Sequence, residues 1–247
     1  IAGILNEQMA AVEEAKKAAQ QRLEAAKALP AAYLREVFEG EEAKGWAKVL
    51  LETISTFAPA RSISTNGDTT VTAVTTACLS ESGFLSDGLK EARMMSSAVS
   101  MSVIQPKDVL IARSNTAELV GRVSIFPSLP DSDRDIVASD LVIRIIADKA
   151  HLIPEFLTKF LSYLFLTGYW RNIAGGASGS MKKITRTHLR SLEVPCPPSE
   201  TQSRIESELE DKVAGVKLAE ASIQQELDTI EAMPPALLRK AFSGGLV

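Results

Sequence analysis

Apolar residues at Ile1, Leu5, Met9, Val12, Ala15, Ala19, Leu23, Ala26 and Leu29 are separated by alternating runs of four-residue and three-residue steps. The same steps recur near the other end of the chain, at Ile205, Leu209, Val213, Val216, Ala219, Ile223, Leu227, Ile230 and Met233. A mean spacing of about 3.5 residues is the period of a narrow coiled-coil seam rather than of a broad amphipathic face. The pattern therefore predicts two long helices, one at each end, suited to pair antiparallel within one chain or between two.

The second pattern is a copy of the first. A shift of 204 residues pairs Leu5 with Leu209, Val12 with Val216, Gln20 and Gln21 with Gln224 and Gln225, and Leu23 with Leu227. The match continues through LPAAYLREVFEG and MPPALLRKAFSG, where it pairs Pro30 with Pro234, Leu34 with Leu238, Arg35 with Arg239, Phe38 with Phe242 and Gly40 with Gly244. Two copies are too few for a solenoid. A proline lacks the amide donor and clashes with the preceding turn, so Pro30 and Pro234 are expected to interrupt each long helix. A short helix then follows and stops at a left-handed glycine. Ser199 and Gln202 have the spacing of a capping box at the start of the second copy.

Residues 51–199 have a different texture. SVIQPKDVLIARS, GRVSIFPS, VASDLVIRIIAD and SLEVPCP have the β-branched density of strands. IPEFLTKFLSYLFLTGYWRNIAGG reads as one helix from about Pro154 to Gly175 and Gly176. Strands and helices alternate too irregularly for a doubly wound sheet. The fold class is thus α+β, a mixed α/β domain flanked by two long helices forming an antiparallel coiled coil. Its divisions are a helical spacer at 1–44, a central domain at 45–199 and a second helical spacer at 200–247.

The net charge of −4 hides an uneven distribution. Residues 1–44 hold six Lys/Arg against eight Asp/Glu, and residues 201–247 hold five against eight. No acidic residue falls between Glu155 and Glu193, whereas Lys159, Arg171, Lys182, Lys183, Arg186 and Arg190 all lie there. A local basic cluster governs partner choice more than the total does. Cys78 and Cys196 lack the short spacing of a metal site or disulfide framework and read as reduced, buried thiols. His151 and His188 are not near a cysteine or a carboxylate pair at ligand spacing. No stretch is apolar and long enough for a membrane span, and no secretory signal is visible, so a cytoplasmic location is expected. A start at Ile reads as a fragment.

Two polar loops carry the candidate chemistry. In GGASGSMKKITR the glycines permit close backbone approach, Ser178 and Ser180 add hydroxyls, and Lys182, Lys183 and Arg186 add charge, a combination suited to phosphate. In ARSNTAELVGR, directly after a strand, Arg113, Ser114, Asn115 and Glu118 are residue types able to read base edges. A plain solvated loop is the alternative for each. There is no GxxxxGK[ST] phosphate loop, nucleophile elbow or dinucleotide fingerprint. The residues point to binding rather than reaction.

Three phrases then resemble a known family, the specificity subunit of type I restriction-modification enzymes. EVPCPPSETQSRI is similar to that family's proline pair followed by Glu-Gln and Ile, here Pro197, Pro198, Gln202 and Ile205, with Thr201 where the family usually has Glu. PALLRKAFSGGL, ending in Ala241, Phe242, Ser243, Gly244 and Leu246, resembles its closing phrase. DVLIARSNTAELVGRV fits its target-recognition domains. The resemblance implies the carboxy-terminal half of a subunit that reads one half of a split double-stranded DNA target. It implies no catalysis, metal or cofactor in this chain. The implied partners are methyltransferase (modification) subunits, which carry the S-adenosylmethionine, and through them motor-nuclease (restriction) subunits. Pairing of two copies as a homodimer through the helices is left open. Two rival readings are a coiled-coil adaptor that meets only proteins, and a methyltransferase or nuclease with an undetected site. The adaptor would not bind duplex, and the enzyme would transfer methyl groups or cleave DNA unaided.

Overall fold

A computed structural model describes residues 2–58, 63, 66–129, 134–176 and 181–243. In chain order the elements are α1 (Ala2–Glu39), α2 (Glu41–Lys44), β1 (Lys48–Leu50), β2 (Ser55–Phe57), β3 (Thr69–Val74), β4 (Leu79–Ser80), β5 (Gly83–Phe84) and β6 (Leu89–Met94). There follow α3 (Ser96–Ser102), β7 (Val109–Ala112), β8 (Ser114–Asn115), β9 (Val123–Ile125), β10 (Ile136–Ala138) and β11 (Val142–Ala147). The chain continues with α4 (Pro154–Leu166), α5 (Tyr169–Ile173), β12 (Lys182–Lys183), α6 (Arg186–Arg190), β13 (Glu193–Pro195) and α7 (Ser199–Phe242). Residues 1–33 with 208–247 form one compact unit, and residues 34–207 form another.

In the first unit α1 and α7 pack antiparallel. Val12, Ala19 and Leu23 meet Leu227, Ile230, Ile223 and Leu237. Lys16 Nζ lies 2.8 Å from Glu231 and Arg22 Nη2 lies 2.7 Å from Glu226, so a rising number on one helix meets a falling number on the other. The seam differs from the apolar pattern at two places in each copy. Ala15 and Leu29 face outward while Lys16 and Pro30 are half-buried, and Ala219 and Met233 face outward while Glu220 and Pro234 are half-buried. A 3.5-residue seam requires steps of four and three in alternation; the apolar residues that take two steps of three drift off it. Lys16 keeps its place because its stem covers the seam while its ammonium reaches Glu231.

The prolines do not break the helices. α1 runs through Pro30, and α7 runs through Pro234 and Pro235. Each is flanked by packed turns, with Ala26 and Leu34 buried around Pro30 and with Ile230 and Leu237 in the seam around Pro234. Those contacts offset an interior cost of about 3 kcal/mol per proline. Nor is Gly40 left-handed. Its φ is −69° and ψ 171°, and a Cβ there would lie 2.3 Å from the Glu36 carbonyl oxygen, so close approach explains the glycine. Gly244 lies outside the described residues.

The second unit is built on an antiparallel sheet in the order β2-β11-β7-β9. Every residue of β7 is buried, as expected for a strand covered on both faces. α4 packs on β9, β7 and β11. Leu110, Ala112 and Val142 share a core with Val74, Cys78, Leu79, Ile104 and Phe126. A second sheet, β10-β3-β6, pairs β10 parallel and β6 antiparallel to β3. Asp108 and Arg144 form a buried pair, Nε to Oδ2 2.5 Å, and Oδ2 also accepts from the Gln105 amide at 2.7 Å.

Where the chain enters and leaves this unit, β1 and β13 lie side by side. Gln202, with no exposed surface, donates through Nε2 to the carbonyls of His151 (2.9 Å) and Pro197 (2.8 Å) and accepts from Ile153 N at 2.9 Å. The capping box is therefore absent, because the amide is spent on the 151–153 turn instead of on Ser199. The single helix expected after Pro154 is two helices, since Gly168 takes φ +77° between α4 and α5. Cys78 is buried and Cys196 half-buried, and both are free thiols.

Asp108→Ala should destabilise the protein by about 3–5 kcal/mol, because Arg144 would stay buried without a partner; urea denaturation measures this. Gly121 has φ +82°, and a Cβ there would lie 2.3 Å from Trp170 Cγ. Gly121→Ala should therefore cost roughly 2 kcal/mol or more in the same assay.

Candidate nucleic-acid interface

β7 is a fully buried strand whose carboxy end emerges at Arg113. The next two residues pair with a segment nearly seventy positions away. Asn115 is opposite Lys182 and Ser114 opposite Lys183 in the β8–β12 ladder. Ile184 N donates to Arg113 O at 2.9 Å and extends the ladder. The two polar loops expected to carry the chemistry are thus joined by one ladder. Alternation along a strand places Arg113, Asn115 and Lys182 on one face and Ser114 and Lys183 on the other.

The lysines come from a strap closed by glycines. Gly175 and Lys183 exchange both backbone hydrogen bonds, at 3.1 and 2.8 Å. A Cβ on Gly176 would lie 2.3 Å from the Met181 carbonyl oxygen, so the strap closes this tightly only with glycine there. Ser178 and Ser180 lie outside the described residues.

Each remaining candidate has local obligations. Arg113 Nη1 donates to the Asp140 carbonyl at 3.1 Å, and its backbone amide donates to Leu141 O at 2.8 Å. Asn115 Oδ1 accepts from Thr116 N at 2.9 Å, leaving its amino group to meet an acceptor. Ser114 is buried. The exposed Glu118 carboxyl is held below its ordinary range by a backbone amide, the Thr116 hydroxyl and the Arg171 charge.

Arg186 Nη2 donates to the Ala58 carbonyl at 2.7 Å, while its Nε is buried with no hydrogen-bond partner. Burial, followed by the charges of Arg113 and Arg190, lowers its pKa from the ordinary value. Arg190 lies 5.9 Å from the centre of the Phe57 ring. Among the described residues no ion pair neutralises Arg113, Arg186 or Arg190. Arg190 belongs to the acid-free run but sequence reasoning gives it no role; its i, i+4 spacing from Arg186 is the signal that could have found it. Leu141 and Met181, 40% and 44% exposed beside Arg113 and Lys182, are also absent from the sequence-based candidates and carry no sequence signal. No group of metal-ligating side chains occurs among the described residues. No described helix is long and apolar enough to cross a membrane.

Two solved structures have the same fold. One, described as "Structural basis underlying complex assembly and conformational transition of the type I R-M system", is 21% identical with a TM-score of 0.75, covering 100% of this chain and 59% of that one. The crystal structure of the HsdS subunit from Thermoanaerobacter tengcongensis is 23% identical with a TM-score of 0.59, covering 99% of this chain and 57% of that one. The chain thus spans less than two thirds of the length of either. No curated protein matches it. Residues 99–229 match the family described as "Type I restriction modification DNA specificity domain". With more than half its length matched, the chain belongs to the type I restriction modification DNA specificity domain family.

Proposed function

We propose that this chain reads one half of a bipartite double-stranded DNA sequence through the β8–β12 surface, and that its paired helices set the distance to a second reader. The observation that carries the reading is the ladder joining Arg113, Ser114 and Asn115 to Lys182 and Lys183, the two lysines lying in the run between Glu155 and Glu193 that has no acidic residue. Lys182, Lys183 and Arg186, with Ser178 and Ser180, contact phosphates, which position the domain without reading sequence. Arg113 and Asn115 reach base edges, Arg113 with the donors its bond to Asp140 leaves free and Asn115 with its amino group. Glu118, exposed in the same loop, offers an acceptor to a base-edge donor such as that of cytosine.

The spacer has a physical scale. Helices of 38 and 44 residues at about 1.5 Å per residue are several tens of ångströms long. A duplex rises about 3.4 Å per base pair, so two readers at that separation leave roughly a turn or more of unread sequence between them.

The family is non-catalytic, so chemistry belongs to other subunits. In this reading the acidic outer faces of the helices dock methyltransferase subunits, and motor-nuclease subunits join that cytoplasmic core. The free basic cluster disfavours a protein-only adaptor, which has no use for uncompensated arginines beside a lysine strap.

Replacing Lys182 and Lys183 together by Ala should weaken binding to every duplex and flatten the slope of log affinity against log salt by roughly 0.9 per lost phosphate contact. Fluorescence anisotropy across a salt series, with the methyltransferase subunits present, measures both; an unchanged slope refutes the assignment. Asn115→Ala should instead relax preference at one base position by about 1–3 kcal/mol, read by selection from randomised duplexes.

A further inference from the structure

The face that carries Arg113, Asn115 and Lys182 holds one more side chain. β11 and β7 run antiparallel, with Val142 opposite Ala112 and Ile143 opposite Ile111. One step further, this register sets Leu141 opposite Arg113, and the Arg113 amide donates to the Leu141 carbonyl at 2.8 Å. Residues opposite each other in an antiparallel pair share a face, with Cβ atoms about 4.5–5.5 Å apart. The Arg113 carbonyl accepts from Ile184 instead, so Leu141 stands at the corner where β11 turns away and β12 becomes the neighbour. It is 40% exposed.

A lone exposed apolar residue needs no explanation. Leu141 is set apart by how it is held. On one side Val142 belongs to the core, and its amide donates to the Ser139 carbonyl at 3.1 Å. On the other, Ser139 is buried and its own amide donates to Val74 O at 3.0 Å. Between them the Asp140 carbonyl accepts from Arg113 Nη1 at 3.1 Å. The turn is thus fastened to the core and to the reader, and the alternation that buries Val142 directs Leu141 outward. A branched apolar group fixed in water beside a guanidinium adds little to the stability of the free domain. In the major groove it has a partner, because the C5-methyl group of thymine is an apolar feature of the base edge that apolar side chains read.

We propose that Leu141 packs against the C5-methyl group of a pyrimidine beside the base that Arg113 reads. The inference rests on the reading that the β8–β12 surface meets duplex DNA, and it adds a determinant of a different kind. Arg113 and the Asn115 amino group select hydrogen-bond acceptors, whereas Leu141 selects a methyl group. Thymine and 5-methylcytosine carry the same one. The separation of the two side chains also limits where the methyl lies. With a rise of about 3.4 Å per base pair, a cross-strand neighbour of Arg113 reaches the same base pair or one of the next two. Met181, 44% exposed, directly precedes Lys182, so alternation gives it the opposite face and it serves as the matched control.

The test begins with the duplex selected from a randomised pool, with the methyltransferase subunits present, and Arg113→Ala locates the position that Arg113 reads. Each thymine of that duplex is then replaced by deoxyuridine, which removes only the methyl group, and each cytosine by 5-methylcytosine, which adds one. Affinities are read by fluorescence anisotropy. Within about two base pairs of the Arg113 position, one deoxyuridine should weaken binding roughly three- to fivefold, as for the loss of one buried methyl group. Leu141→Ala, and Leu141→Asn of similar size, should bind both duplexes alike, while Met181→Ala should keep the difference. If 5-methylcytosine there strengthens binding by a like factor, and Leu141→Ala abolishes the gain, the contact stands with methylcytosine as its source. Intact sequence preference with no methyl-dependent position, a methyl effect that survives Leu141→Ala, or one that Met181→Ala abolishes equally, overturns the contact alone. Absence of any sequence preference in the unaltered chain overturns the DNA reading and the contact with it.

Discussion

The 3.5-residue seam between α1 and α7 is the constraint on which the remaining arrangement depends. Helices of this length and composition are marginal alone, because nucleation is costly and their polar faces gain little from burial. Pairing gives each an apolar surface against its copy, and it does so with small contacts. Ala19 has no exposed surface, so the backbones approach closely there, while Val12, Leu227 and Ile230 fill the seam on either side. Ion pairs flank it, Lys16 with Glu231 and Arg22 with Glu226. Exposed pairs of this kind are each worth little.

The recognition unit solves a different problem, which is to hold polar side chains rigidly without burying them. β7 is covered on both faces and its end cannot wander, so Arg113 to Asn115 leave the core from a fixed point. The returning strap meets them with backbone hydrogen bonds, and the bonds between Gly175 and Lys183 close it. Arg186 has the opposite character. Its Nε is buried without a hydrogen-bond partner, and burial together with the charges of Arg113 and Arg190 lowers its pKa.

Much of this was legible in the residues. Apolar period and repeat were enough for two antiparallel helices, and the strands of the main sheet followed from β-branched density. Other features depend on tertiary pairing. LKEARM consists of good helix formers yet forms β6, because β3 offers it a six-residue ladder. Ala15 and Leu29 match an apolar pattern but not a helical register. The prolines follow the textual rule for a break while packed turns on either side override it. At the site, each loop was visible alone, but their contact spans some seventy residues and is made through backbone atoms that leave no trace in side-chain identity. Arg190 was hidden for a related reason, since nothing in the sequence says that the Phe57 ring lies beneath it.

Arg22 and Glu226 occupy the same position of the repeat, 204 residues apart, and so mark its centre of symmetry. Were two first copies to meet in this register, arginine would face arginine and Lys16 would face Lys27; two second copies would set Glu226 against Glu226 and Glu220 against Glu231. At these positions the two copies carry opposite charges about one midpoint, although each helical end is acidic in total. Like repels like, and each rod is left able to recognise its sibling but not its twin.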